Sequence, residues 1–182
     1  MRLPPSKENK WPFLHSEGYD AVSPQTWDYN CIAFAADIDT KWWWPDADGD
    51  AEWPIKRREV TLDCFIEAYE TLGYRKCRSP RQRRGFEKIA IYSRHGEPTH
   101  AAKQLPDGRW KSKLGDWEDI EHNTLKAVEE YVYGKAVVFL ERRQTSCQRT
   151  NPLARFGSFL SRLFGRQQSM FSLIQSGNLT SS

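Results

Sequence analysis

Cys31 stands in "WDYNCIAFAADID" (residues 27–39), directly after Asn30 and before a run of small apolar residues. A cysteine attacks a carbonyl only as thiolate, and the unpaired N–H groups at a helix start favour that anion. Asn30 is a good N-cap, so Cys31 is expected as the first residue of a short helix. The chemistry also needs a base, and His100, about 70 residues further on in "THAAKQ", is the candidate. An imidazole within hydrogen-bond reach takes the thiol proton and later returns it to a leaving group. A second reading stays open beside this one. Cysteine is among the most frequently buried residue types, and "IAFAA" marks an interior helix.

These two residues need elements to position them. From Thr61, the residues Leu62, Phe65, Ile66, Tyr69 and Leu72 recur at helical spacing, with Thr61 as cap and Gly73 as stop. "FEKIAIYS" is suited to a strand. "THAAKQLPDGRWKSKLG" reads as strand, turn at Pro106-Asp107-Gly108, strand. Residues 123–131 are expected as a short helix capped by Asn123, and "KAVVFLER" as an apolar strand. Helices that precede and flank an antiparallel sheet define an α+β fold.

The chain of 182 residues fits one domain with an appendage, and it is long enough to bury a core. Residues 1–26, with Pro at 4, 5, 12 and 24, are expected as an irregular lead-in. The α+β domain is then expected over 27–143, with a basic amphipathic tail over 144–182. Of the 27 bases, six arginines and no acid lie from Arg142 onward. The preceding residues therefore carry 21 bases against 24 acids, and the basicity belongs to the tail. Leu153, Phe156, Phe159, Leu160, Leu163 and Phe164 draw one apolar face on a tail helix beginning near Asn151, suited to an anionic surface. No apolar stretch of signal-peptide or membrane-spanning length occurs, so a cytoplasmic protein is expected. The four widely spaced cysteines are read as thiols.

The segments "YNCIAFAA", "GFEKIAIY", "THAAKQLPDGRWKSKLG" and "DIEH" resemble an uncharacterised bacterial domain family. Over residues 25–141 the order of Cys helix, His strand and polar residue on the next strand is similar to papain-like cysteine hydrolases, especially the small NlpC/P60 and CHAP amidases. That resemblance implies Cys31 as nucleophile, His100 as base and Ser112 as the side chain that orients the imidazole. Serine departs from the usual His, Asn or Gln at that place. Asp119 and His122 are alternative third members, with a place in a turn as the competing reading of both. Gln25, six residues before Cys31, matches the spacing of the papain oxyanion glutamine.

Other motifs are weaker. "DADGD" alternates like the first ligands of a calcium loop, but Ala51 stands where Gly is needed and Arg57 where Glu is needed. The cysteines lack the paired spacing of a zinc site, so neither metal nor cofactor is expected. Trp42, Trp43 and Trp44 cannot all face inward on an extended segment, so at least one is expected in solvent. "RKCRSPRQRRG" holds six bases between Arg75 and Arg84 without interleaved aromatics, which argues against a nucleic-acid partner. Two functions follow: a cysteine hydrolase or acyl transferase acting on an amide or thioester, or a non-catalytic binding module presenting the Trp-rich and basic loops.

Overall fold

The computed structural model describes residues 1–144, which form helices packed on an antiparallel sheet. In chain order the elements are α1 (Pro5–Glu8), α2 (Leu14–Glu17), β1 (Tyr19–Ala21), α3 (Cys31–Ala35), α4 (Leu62–Glu70), β2 (Arg75–Cys77), β3 (Phe86–Arg94), β4 (Glu97–Gln104), β5 (Trp110–Lys113) and β6 (Asp119–His122). A 3-10 turn (Leu125–Val128) and β7 (Lys135–Arg143) complete the described part. Among the described residues the sheet has seven strands in the order β1-β6-β5-β4-β3-β7-β2, each antiparallel to its neighbours.

Each expected element has a local cause. Asn30 Oδ1 accepts from Ala33 N (3.0 Å), which makes Cys31 the first residue of α3. Thr61 caps α4 in the same way through Cys64 N, and Gly73 at φ +84° lets the chain turn away after it. β4 and β5 pair at Lys103↔Lys111 and Gln104↔Trp110 across the Pro106-Asp107-Gly108 turn, as the sequence predicts.

The core lies on both faces of the sheet, because β3 and β4 are buried on both sides. Ile89, Ile91 and Ala101 face α3 and α4, in a cluster with Ile32, Phe65 and Tyr69. Ala90, Tyr92 and Ala102 face the other way, toward Trp11, Leu14, Trp110 and Tyr133. Register decides this: Ile91 opposes Ala101, while Tyr92 opposes His100, and alternate residues point to opposite faces.

Four expectations require correction. Residues 1–26 are not irregular throughout: Trp11, Leu14, Tyr19 and Ala21 are buried, and β1 pairs with β6. Apolar side chains at those positions cover the second face of the sheet, and this outweighs the prolines. The basic segment begins as an edge strand, Arg75–Cys77 against β7, because an edge strand needs no buried face. Asp119 to His122 is strand β6 and not a turn. The helix expected over 123–131 shrinks to a 3-10 turn without a side-chain cap, since the Asn123 side chain donates to Glu17 O. The tail helix expected from Asn151 lies outside the described residues, as does Cys147.

Gly134 closes the turn into β7 at φ +73°, and a Cβ there would overlap the Ser93 carbonyl oxygen. Gly134→Ala is therefore expected to cost about 1–3 kcal/mol from backbone strain alone, with the clash added. A denaturant midpoint indistinguishable from wild type would contradict this placement.

Candidate functional site

Two of the three predicted residues, His100 and Ser112, meet where the β4–β5 ladder opens. The two strands pair at Lys103 and Gln104 and not at the preceding residues of β4. The His100 side chain spans the opening, with Nε2 at 3.0 Å from Ser112 Oγ. Ser112 Oγ lies in turn 2.9 Å from His122 Nε2, and His122 Nδ1 is 2.7 Å from the Thr124 carbonyl. All three side chains are fully buried. His100 also stacks on Tyr133, with ring centroids 4.0 Å apart and planes 11° from parallel.

The hydrogen positions follow from the chemistry of the partners. The Thr124 carbonyl can only accept, so His122 Nδ1 carries the hydrogen. The Nε2 of that neutral ring then accepts from the Ser112 hydroxyl. Ser112 has a single hydrogen, so it must accept from His100 Nε2–H. This leaves His100 Nδ1 as a bare lone pair, and that atom has no partner among the described residues. Burial, reinforced by the neighbouring His122, holds the His100 pKa well below its usual value. Burial likewise lowers His122 to about 4, opposed by its bond to Thr124.

Cys31 approaches β4 differently. It is 7% exposed and packs in the α3–α4 cluster, on the face that bears Ala101 and not His100. Burial pushes its thiol up to about 11, while the N–H groups of Ala101, Cys31 and Ile32 pull the other way. A five-residue helix and three N–H groups do not offset the loss of solvation. The amide of Ala101, directly after His100, is thus the link between thiol and histidine; no hydrogen bond joins the sulfur to the imidazole.

The alternatives are otherwise engaged. Asp119 accepts from Tyr29 OH at 2.6 Å and makes no bond to His100. Gln25 is exposed and accepts from Lys7 at 3.1 Å. The sequence signal for His122 is its alternation with Ile120: both sit on the buried face of β6. Asp46 caps the backbone N–H groups of Asp50 and Ala51 and pairs with Arg58. Among the described residues, no three His, Cys, Asp or Glu side chains form a metal-binding group, and no Cys–His–Asp triad is assembled.

A second feature lies at the surface. Trp43 is 5% exposed and held by Asn30, whose side chain bonds both its N and its O. Trp42 turns outward at 40% exposed, beside Trp27 at 66%, and its indole N–H donates to Trp27 O. A groove of about 490 Å³ opens along Trp42, lined by Asp28, Lys41, Asp50, Ala51 and Glu52.

The molecule is therefore an α+β domain with a sealed His–Ser–His array inside and an aromatic, acid-lined groove outside. Residues 20–141 match the family described as "Domain of unknown function (DUF7689)", and the chain belongs to it. No curated protein and no solved structure matches the chain. No helix among the described residues is long and apolar enough to cross a membrane.

Proposed function

We propose that the domain is a non-catalytic interaction module that presents its Trp-rich and basic segments to a partner. The observation that carries this reading is the geometry of the buried pair: no hydrogen bond joins the Cys31 sulfur to the His100 ring, whose Nε2 is taken by Ser112. A thiol pushed to about 11 and an imidazole held well below its usual value are both neutral at pH 7, with no hydrogen bond between them. By contrast, Trp27 and Trp42 stand in solvent, and Arg78, Arg81 and Arg84 are exposed without ion-pair partners among the described residues. Large aromatics and arginines are the side chains that dominate binding surfaces.

One observation favours the cysteine hydrolase or acyl transferase reading: His100 Nδ1 is a bare base held by Ser112, one residue from the amide that reaches Cys31. In that reading Cys31 attacks an amide or thioester carbonyl, His100 takes the proton and Ser112 orients the ring. It requires an opening that brings sulfur and imidazole together.

Thiol alkylation separates the two. The shift from 9.0 to about 11 lowers the thiolate fraction at neutral pH about 100-fold. Mass-spectrometric labelling of Cys31 about 100-fold slower in the folded than in the denatured chain supports the module. Labelling faster than the denatured control favours the hydrolase.

A further inference from the structure

We infer that the groove beside Trp42 is a docking site for a lysine- or arginine-bearing segment of a partner protein. The inference rests on the interaction-module reading and names its occupant.

The walls are set before anything binds. Trp43 and Glu52 form a parallel bridge, and Trp44 N donates to Glu52 O at 3.1 Å, so the Trp42 side and the Glu52 side are tied together. The Trp42 ring cannot swing freely, because its N–H is fixed on Trp27 O at 2.6 Å. Its polar edge is therefore satisfied. What remains available is the apolar, electron-rich ring face, which attracts cations.

The charges agree with that face. The lining has three carboxylates, Asp28, Asp50 and Glu52, against the single ammonium of Lys41. Lys41 is spent on Glu52 at 2.6 Å. Asp28 accepts only the Thr26 hydroxyl, at 2.7 Å through one oxygen, and Asp50 has no ion-pair partner among the described residues. Two carboxylates are thus uncompensated beside an exposed indole. An anionic segment is repelled there. A purely apolar segment would cover both carboxylates with nothing to pair them, which is costly. A lysine or arginine satisfies both demands, since its methylene stem lies along the indole while its charged head reaches the acids.

The test uses the full chain labelled with ¹⁵N at the tryptophan indoles and titrated with a short Gly-spaced Lys/Arg peptide. Peptides with norleucine or glutamate in place of the bases are the controls. Saturable shifts of the Trp42 indole resonance by the basic peptide alone are expected. Asp28→Asn with Asp50→Asn, and separately Trp42→Ala with binding read at the neighbouring Trp27 indole, should each weaken that binding about tenfold. Because these carboxylates are exposed, the Asp variants keep the test valid if Trp42→Ala does not fold. Equal binding of the norleucine peptide, preference for glutamate, or an unmoved Trp42 resonance would overturn the inference. If the glutamate peptide bound at Arg78 and Arg81 instead, this site would fall while the interaction-module reading stood.

Discussion

Glu87→Ala is expected to lose about 3–5 kcal/mol of stability, because it leaves buried cations facing each other. The Glu87 carboxylate, on the α3–α4 face of β3, receives Lys103 Nζ at 3.0 Å, Arg142 Nη2 at 2.7 Å and Tyr74 OH at 3.1 Å. Its side chain is 8% exposed and that of Lys103 9%. Asp37, at φ +64° just beyond α3, completes the cluster through Lys103, Lys111 and Arg142. Burial alone would raise the Glu87 pKa, but Lys103 and Arg142 outweigh it and hold the group below the usual carboxylate value. A lowered pKa means stability that is complete above the unfolded value and lost as pH falls through the folded one. Glu87→Gln keeps the shape and an acceptor, so it should lose less than Glu87→Ala. Denaturant midpoints measure both. Equal, small losses would mean that solvent already screens this cluster.

That cluster also shows how far the sequence can be read. Capping and periodicity are local signals, so α3 at Cys31, α4 after Thr61 and the β4–β5 hairpin were legible from Asn30, Thr61 and Pro106-Asp107-Gly108. Edge strands are set by distant partners. β1 exists because Ile120 and His122 offer it a free edge, and nothing within Tyr19–Ala21 announces that. The same holds for the site. His100 and Ser112 were paired through the resemblance to the small amidases, and the structure places them 3.0 Å apart. Whether Cys31 faces His100 depends on which side of β4 carries α3. A one-residue change of register reverses that side, and no local signal in the sequence specifies it. That at least one of Trp42, Trp43 and Trp44 is exposed followed from geometry, since adjacent residues on an extended segment alternate; that it is Trp42, and that Trp27 lies beside it, did not, because fifteen residues separate the two.

Folding stability should fall steeply as pH drops from 6.5 toward 4, before the carboxylates titrate. His122 is lowered from 6.5 to about 4, and His100 lies well below its usual value as well. Between those limits the unfolded chain binds protons that the folded chain excludes. Stability is then complete above pH 6.5 and lost at about 1.4 kcal/mol per pH unit for each histidine. For His122 alone the loss reaches about 3 kcal/mol at pH 4, and below its folded value the loss stops growing. His100 acts with the same sign over a window that starts at the same pH. The cause is burial of both rings, and the array offers an added proton no relief: on His122 Nε2 it meets the Ser112 hydroxyl already donating to it, and on His100 Nδ1 it finds no acceptor. His122→Asn, which retains polar groups without titrating, should remove part of the slope between pH 6.5 and 5. Thermal midpoints across that range provide the measurement, and a flat profile from pH 7 to 5 would contradict the sealed array. The same profile bears on function. A thiolate–imidazolium pair requires His100 to hold its proton near neutral pH, so an acid slope that persists in His122→Asn is incompatible with a preformed pair of that kind. A flat profile with His100 titrating near 7 would move the balance back to Cys31 as a nucleophile.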